Sequence, residues 1–235
     1  MFKSKRKSIK KKQLISPSDI WVLIPAYNEE KYIENVLREV LTYTDNIIVV
    51  SDGSSDATGI LAGKHAPVVV EHEINLGKGA ALKTGCEYAF HHLAAKAVIF
   101  LDSDLQHDPS ELPRFYEALK SWDVVFGVRV FSTQMPLLRS IFNRVASVLI
   151  WLLFGYYIPD IPCGYKAMKK TAYERLAWES RDYAVETEIA ARTARNKIPF
   201  KTLTVRTIYH DFDRGMTFLD TLNVLLKIAS WRFSL

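Results

Sequence analysis

Short apolar runs that alternate with helical patterns constrain the fold of this chain more than any other feature of its sequence. In the first half of the chain, segments with a helical spacing of apolar residues lie between successive runs. Buried runs separated by helices are typical of parallel strands in a doubly wound sheet. The sequence therefore predicts an α/β fold with helices on both faces of the sheet. The runs occupy residues 20–24, 46–50, 67–71, 97–101 and 123–128.

Polar side chains follow four of these runs at the point where each strand ends. The carboxyl ends of strands are where an open α/β sheet binds its ligands, so we expect these side chains to face one cleft. Such a convergence indicates a binding site more strongly than any single motif does. The residues are Tyr27 with Glu29, Asp52, Asp102 with Asp104, and Arg129.

Asp102 and Asp104 are the most informative of these residues, because two carboxylates follow one buried strand with a single residue between them. Carboxylates are the hard oxygen ligands that Mg²⁺ or Mn²⁺ prefers, and Gln106 adds an amide oxygen. A divalent ion held there would neutralise a diphosphate. The alternative interpretation is an ordinary strand-to-loop turn in which Asp caps a helix.

Two familiar phosphate-binding motifs are missing. The first strand is not followed by GxGxxG, which disfavours a dinucleotide-binding fold. The segment GKGA at 77–80 lacks the leading glycine and the hydroxyl residue of a P-loop. A diphosphate held through a metal ion and carboxylates remains the preferred interpretation.

The charge is distributed unevenly along the chain. The first twelve residues contain seven Lys or Arg and no acid, and removing these from the net charge of +5 leaves −2 for the rest. No basic stripe for nucleic acid is therefore spread over the fold, and we expect no nucleic-acid partner. Residues 1–17 are interpreted as a basic, disordered tail, either solvated or attracted to anionic lipid by about 1 kcal/mol per basic residue.

Residues 18–235 are predicted to form a single domain, because no Pro/Gly/Ser-rich linker interrupts them and 49% of the chain is hydrophobic. Cys86 and Cys163 are far apart and lack a CxxC partner, which favours a reducing compartment over a disulfide framework or a zinc site. No signal peptide is recognised. The most apolar stretch, 145–158, has fourteen residues. A membrane-spanning helix needs about twenty, so the chain is expected to be soluble or to lie on a membrane.

The second half of the chain changes character. A helix predicted over 136–155 has apolar faces and ends among Trp151, Tyr156 and Tyr157. Such a helix suits a membrane interface, although a buried core helix is an equally valid interpretation. The other predicted elements are a helix over 184–196, a strand over 200–209 and a helix over 217–233 with aromatic residues near its end.

Four short motifs occur in order along the chain: PAYNE at 25–29, VVSDGS at 49–54, GKG at 77–79 and DSDLQH at 102–107. Together they resemble the inverting family 2 glycosyltransferases with the GT-A fold, and more narrowly the dolichyl- or polyprenyl-phosphate mannose and glucose synthases. The resemblance covers roughly residues 20–217. It implies a GT-A-like, doubly wound, mixed but mostly parallel sheet flanked by helices, with interfacial amphipathic helices in the C-terminal half. It also divides the domain into a nucleotide-binding half, 18–129, and an acceptor half, 130–235.

The same resemblance implies roles for individual residues. Those for the nucleotide sugar are Pro25, Ala26, Tyr27, Glu29, Val50, Asp52, Lys78, Asp102, Ser103 and Arg214. Those for Mg²⁺ or Mn²⁺ are Asp102, Asp104 and Gln106. Those for the acceptor phosphate are Arg129, Arg139, Asn143 and Arg144. Catalysis is assigned to Asp104, Arg129 and Arg139.

The sequence departs from the family pattern in three places, and the third departure leaves the sugar and its nucleotide open. Ser51 stands where the family often has a first Asp. The segment CGYKA at 163–167 has Lys166 in place of the usual Arg. After Arg214, Gly215 and Met216 replace the Ser and Lys that are typical of mannose synthases.

The resulting hypothesis is a metal-dependent, inverting transfer of a hexose from a nucleotide sugar, of the GDP-mannose or UDP-glucose type, to polyprenyl or dolichyl phosphate. It places the enzyme peripherally on the cytoplasmic face of a membrane, with a separate membrane-anchoring subunit as a further possible partner. A phosphate acceptor has a second pKa of about 6, so it is largely anionic at neutral pH and needs no general base.

Two alternatives stay open at this point. In the first, the acceptor is a hydroxyl of a glycolipid or glycan, which requires a base. Glu186 and Glu188 are spare carboxylates for that role, unless they belong to a solvated or salt-bridged helix face. In the second, the chain is a non-catalytic nucleotide-sugar-binding subunit of a membrane complex. The paired Asp102 and Asp104 argue against the second alternative.

Overall fold

A computed structural model describes residues 15–129, 137–207, 223–225, 227–228 and 231, with only the backbone described for 137–140. The strands are β1 Ile20–Ala26, β2 Ile47–Asp52, β3 Val68–His72, β4 Ala97–Phe100, β5 Val124–Arg129, β6 Lys166–Lys169 and β7 Phe200–Val205. The helices are α1 Ile33–Leu41, α2 Thr58–Gly63, α3 Lys78–His92, α4 Leu112–Leu119, α5 Leu137–Phe154, α6 Lys170–Leu176 and α7 Val185–Arg195. Pro17–Asp19 and Pro109–Glu111 form single turns of 3₁₀ helix.

The strands form one mixed sheet in the order β3-β2-β1-β4-β6-β5-β7. Every neighbouring pair is parallel except those that involve β6, which lies antiparallel between β4 and β5. The prediction of a mixed, mostly parallel sheet flanked by helices is confirmed. Because six strands run the same way, their carboxyl ends lie along one edge of the sheet.

Helices cover both faces of the sheet, and each face has its own apolar core. On one face, side chains such as Leu23 and Phe100 pack with residues of α3, α5 and α7. On the other face, Val22 and Ile24 pack with residues of α1, α2 and α4. Burial on both faces explains why the central strands are continuous apolar runs rather than alternating patterns.

The first five predicted strands are present within one or two residues, and the predicted helix over 136–155 is α5. The sequence interpretation missed β6 and α6. Four residues with lysines at both ends carry no clear strand pattern, and only pairing with β4 and β5 makes Lys166–Lys169 a strand. The strand predicted over 200–209 ends at Val205.

Two predictions about the ends of the chain reach beyond the described residues. The basic tail lies mostly in 1–14, outside them, but Ile15 is already buried and Pro17–Asp19 has a regular structure. The helix predicted over 217–233 is described at a few positions, which are helical. Within the described part of the chain, no helix combines the length and the apolarity that crossing a membrane requires.

Candidate active site

A cavity of about 890 Å³ opens at the carboxyl ends of β1, β2, β4 and β5. It brings together most of the residues that the sequence singled out, including polar residues from all four strand ends. The predicted convergence of the strand ends is therefore observed, whereas the binding roles of the residues stay predictions. The predicted residues that line the cavity are Pro25, Ala26, Tyr27, Glu29, Asp52, Lys78, Asp102, Ser103, Asp104, Gln106, Arg129 and Asn143.

Two predicted residues do not line the cavity, and two more lie partly or wholly outside the described residues. Val50 is fully buried in the apolar core and is not among the described residues lining the cavity, so the structure does not support a side-chain contact with the nucleoside. Arg144 is exposed to solvent on α5 and is not among those lining residues either. The side chain of Arg139 and the whole of Arg214 lie outside the described residues.

Asp102 is already paired with positively charged or hydrogen-bonding partners. Its Oδ1 lies 2.7 Å from Nζ of Lys78, and its Oδ2 lies 3.2 Å from Nε2 of His107. Burial would raise the pKa of Asp102, but the charge of Lys78 and the contact with His107 hold that pKa well below its usual range. Both aspartates line the cavity as predicted, and Asp102 has protein partners there that the sequence analysis did not identify.

Lys78 connects Asp102 to a third carboxylate, that of Glu186 at the start of α7. Its Nζ lies 2.7 Å from Oε1 of Glu186 as well as 2.7 Å from Asp102. Burial alone would lower the pKa of Lys78, but the two carboxylates outweigh it and raise the pKa above its ordinary value. An ammonium ion between two carboxylates is a contact that the sequence analysis did not foresee, although Glu186 was one of its spare acids.

Asp104 is less well compensated than Asp102. Its Oδ1 accepts a hydrogen bond from the backbone N–H of Gln106 at 3.0 Å. Burial and the neighbouring charge of Asp102 raise the pKa of Asp104. A cation bound beside this carboxylate would relieve both effects.

The donor atoms of this region suit a divalent ion, because Asp102, Asp104 and Gln106 present carboxylate and amide oxygens to the cavity. Among the described residues, however, no group of three or more His, Cys, Asp or Glu is arranged to hold a metal. An ion here would be held by the two aspartates with the Gln106 amide and oxygens of a bound substrate, which is common for Mg²⁺ in phosphate chemistry.

Asp52 positions the start of α3. Its oxygens accept hydrogen bonds from the backbone N–H groups of Leu76 and Gly77 at 2.9 and 2.8 Å, and its Oδ1 lies 2.7 Å from Nδ1 of His72. Gly77 has a φ of +95°, which a side chain would strain. Asp52 thus fixes the turn that delivers Lys78 to the cavity.

Arg129, at the end of β5, is held by a buried acid that the sequence analysis missed. The Asp160 carboxylate accepts hydrogen bonds of 2.8 Å from the backbone N, Nε and Nη2 of Arg129 and from Nδ2 of Asn143. Asp160 is 1% exposed. The only available signal was a single acid inside the otherwise apolar segment IPDIP at 158–162.

The CGYKA segment supports both charged regions. Lys166, which stands where the family usually has Arg, is buried and donates to the backbone carbonyls of Ile161, at 3.0 Å, and Cys163. Burial lowers the pKa of Lys166. A Cβ on Gly164 would lie 2.1 Å from Oδ2 of Asp102, so the absence of a side chain there leaves room for that carboxylate.

Glu188 is not among the described residues lining the cavity, although it is close to Glu186 in sequence. It is buried, accepts hydrogen bonds from the backbone N–H groups of Glu179 and Ser180, and pairs with Arg192 at 2.6 Å. The salt-bridged interpretation of Glu188 is therefore the one observed. Glu186 remains the carboxylate of this helix that reaches the cavity.

A mixed sheet with an Asp-x-Asp pair at the end of its fourth strand, facing a cavity, defines a GT-A-type glycosyltransferase fold. The comparison with known families is more specific. Residues 21–177, more than half of the chain, match the model of Glycosyl transferase family 2. The chain belongs to this family and is a glycosyltransferase.

Curated relatives extend along most of the chain. One is the UDP-N-acetylglucosamine–dolichyl-phosphate N-acetylglucosaminyltransferase of Methanococcus voltae, which is 31% identical over 219 residues, covering 82% of this chain and 87% of the relative. Another is the polyprenol monophosphomannose synthase of Mycolicibacterium smegmatis, which is 26% identical over 229 residues, covering 89% and 85%.

A solved structure with the same fold is that of glucosyl-3-phosphoglycerate synthase from Mycobacterium tuberculosis in complex with Mn²⁺, UDP-glucose and phosphoglyceric acid. Its TM-score is 0.72 at 22% identity, covering 90% of this chain and 79% of that one. This likeness establishes the fold alone.

Proposed function

We propose that this protein transfers a hexose, with inversion, from a nucleotide sugar of the GDP-mannose or UDP-glucose type to polyprenyl or dolichyl phosphate. The observation that carries this assignment is one cavity with carboxylates at the β4 end and a basic, hydrogen-bonding wall at the β5 end. Two relatives, one named for dolichyl phosphate and one for polyprenol monophosphomannose, support the lipid phosphate acceptor.

The donor is assigned to the wall built by residues 18–129. Tyr27, Glu29 and Asp52 line the cavity together with the two aspartates that follow β4, Asp102 and Asp104. A structural neighbour holds Mn²⁺ and UDP-glucose in the same fold, which favours a divalent ion with the donor diphosphate. Such an ion would stabilise the negative charge that develops on the leaving nucleoside diphosphate. Lys78 would add a cation on the same side.

The acceptor is assigned to the wall built by Arg129, at the end of β5, and by residues 130–235. An anionic phosphate needs orientation rather than deprotonation, and a guanidinium with a side-chain amide supplies directed donors for its oxygens. Arg129 and Asn143 line the cavity there. Arg139, one helical turn before Asn143, completes this set as a prediction.

The outer side of α5 supports contact with a membrane surface. Ile141, Val145, Val148 and Leu152 are exposed at a spacing of four, three and four residues, and Leu152 is 65% exposed. This spacing places them on one stripe of the helix. The opposite side, with Asn143 and Ala146, lines the cavity. A helix lying in the lipid interface would therefore bring the cavity to the depth of a lipid phosphate.

Cys86 and Cys163 are buried free thiols, which is compatible with the reducing cytoplasmic side of that membrane. The seven basic residues among the first twelve and a separate anchoring subunit belong to the same proposal as further sources of membrane affinity.

The test is a thermal-shift panel of GDP-mannose, UDP-glucose and UDP-N-acetylglucosamine, each with and without Mn²⁺, followed by transfer of the radiolabelled sugar of the best binder to polyprenyl phosphate. We expect one nucleotide sugar to raise the melting temperature, and Asp104→Asn to lower the transfer rate by ~100-fold or more. Transfer by Asp104→Asn at the wild-type rate would falsify the catalytic assignment.

One observation favours a second candidate reaction, transfer to a hydroxyl. Glu186 is a carboxylate in the cavity, and a hydroxyl acceptor needs such a base. Its ion pair with Lys78 argues against it, because Oε1 of Glu186 already lies 2.7 Å from the Lys78 ammonium. If Glu186→Gln abolishes transfer to a glycolipid hydroxyl, and polyprenyl phosphate is not a substrate, the second reaction is the correct one.

A further inference from the structure

The loop between α5 and β6 contains a carboxylate whose hydrogen bonds all go to the acceptor wall of the cavity. Oδ2 of Asp160 accepts from the backbone N and Nε of Arg129, and Oδ1 accepts from Nη2 of Arg129 and Nδ2 of Asn143, each at 2.8 Å. Asn143 also accepts from the backbone N–H of Ile161 at 3.3 Å. Asp160 thus joins the end of β5 to the side of α5.

This acid is charged in the folded protein. Burial would raise the pKa of Asp160, but the hydrogen bonds and charge of Arg129 outweigh burial and keep that pKa below its usual range. An ionised carboxylate across the Nε and Nη2 edge of a guanidinium makes a bidentate pair, which fixes the plane of the guanidinium as well as its position.

The loop that carries Asp160 is itself held in place by hydrogen bonds from a buried lysine. The ammonium of Lys166 is buried under it and donates to the carbonyls of Ile161 and Cys163. The Asp160 side chain is itself 1% exposed. Arg129 and Asn143 are therefore oriented by a buried, hydrogen-bonded acid rather than by an exposed one.

We propose that Asp160 is a positioning residue for the transfer reaction, holding Arg129 and Asn143 in the orientation in which they bind the acceptor phosphate. This role depends on the acceptor proposed above. Asp160 does not touch the phosphate, and a simple charge effect has the opposite sign. Removing a negative charge beside Arg129 would strengthen the binding of an anion, whereas loss of orientation weakens it.

The experiment compares wild type with Asp160→Asn in titrations with farnesyl phosphate, and separately with UDP and GDP in the presence of Mn²⁺. We expect farnesyl phosphate to bind Asp160→Asn about 10- to 100-fold more weakly, because loss of position at a binding group costs effects of this size. The nucleotide that binds wild type should bind the variant with an affinity within about threefold of the wild-type value. The reason is that no described contact joins Asp160 to Asp102 or Asp104.

Glu188→Gln is the matched control, because Glu188 is also a buried acid paired with an arginine and with backbone N–H groups. It should lose stability in the same way and keep the wild-type affinity for farnesyl phosphate. Equal weakening in both variants would mean that Asp160 only supports the fold.

If Asp160→Asn folds poorly, a double-mutant cycle can still test whether Asp160 acts through Arg129. Arg129→Gln combined with Asp160→Asn leaves no unpaired charge between the two positions. If Asp160 acts through Arg129, the double variant binds farnesyl phosphate no worse than Arg129→Gln alone. Independent losses that multiply, or unchanged or tighter binding by Asp160→Asn, overturn the positioning role. A wild-type protein that binds a nucleotide but not farnesyl phosphate overturns the proposed acceptor, and this role with it.

Discussion

The ends of β4 and β5 face the same cavity, but their charged side chains are stabilised in different ways. At the β4 end, Asp102 is paired with Lys78 and His107, while the next acid, Asp104, keeps a raised pKa. At the β5 end, the backbone N, Nε and Nη2 of Arg129 all donate to the Asp160 carboxylate.

This difference indicates how each end meets its ligand. Partly buried carboxylates that are incompletely neutralised favour a cation, so under the proposed function a divalent ion should stabilise the β4 end. A guanidinium that is already oriented binds an anion with little reorganisation, so under the same proposal the β5 end should be oriented before its ligand arrives. Four substitutions test this contrast, and their expected effects are given as changes in the free energy of unfolding.

The largest effect is expected for Lys78→Met. This change leaves Asp102 and Glu186 without the ammonium that lies between them, and removing one partner of a buried pair should cost on the order of 3 kcal/mol. Urea denaturation measures it. The control is Lys169→Met, which breaks a pair with the more exposed Asp123 and should cost under about 1 kcal/mol. Similar losses in both variants would contradict a special role for Lys78.

A smaller loss is expected for Gly164→Ala, because the new Cβ would lie 2.1 Å from the Asp102 carboxylate. Overpacking at such a site should cost about 2 kcal/mol and displace Asp102, lowering the transfer rate as well. Gly63→Ala is the control, because a Cβ added at Gly63 would meet no atom within 4 Å apart from its chain neighbours and the backbone of its own helix. The free energy of unfolding of this variant should be unchanged or slightly higher. Full transfer activity in Gly164→Ala would show that Asp102 tolerates displacement.

The pair at the β5 end should show a distinctive pH dependence. The pKa of Asp160 is lowered in the folded protein, so its ionised form stabilises the fold above the unfolded value of about 3.9. Asp160→Asn should therefore cost about 1.5 kcal/mol at pH 7, and this cost should shrink as the pH falls below about 4. Parallel denaturation series at pH 7 and pH 3.5 provide the measurement. A cost that grows in acid has the wrong sign for this account.

The smallest effect, and the one of opposite sign, is expected for Asp104→Asn. The pKa of Asp104 is raised, so its charged form is disfavoured by folding at neutral pH, and a neutral amide should leave stability equal or raise it by less than about 1 kcal/mol. Thermal unfolding at pH 7 without metal tests this. Asp52→Asn is the contrasting variant. The Asp52 carboxylate accepts hydrogen bonds from two backbone N–H groups, so this change should lower the free energy of unfolding. A clear loss of stability in Asp104→Asn would mean that the β4 end is already neutralised.

The sequence by itself determined the class of fold and the place of the site. Apolar runs buried on both faces can only be strands between two layers of helices, and polar residues at their carboxyl ends must then meet at one edge. That reasoning located Tyr27, Asp52, Asp104 and Arg129, which all line the cavity. Local pattern was sufficient because each of these residues lies at the end of its own strand or within four residues after it.

Only the tertiary structure decided which charges are paired. Asp102 meets Lys78 from α3, and Arg129 meets Asp160 from a loop 31 residues further on, contacts that no local spacing encodes. The strand β6 also depends on residues distant in sequence. It forms through pairing with β4 and β5 rather than through a strand pattern in its own four residues. Strand formation here and the electrostatic balance of a buried site both depend on neighbours distant in sequence, and folding alone brings those neighbours together.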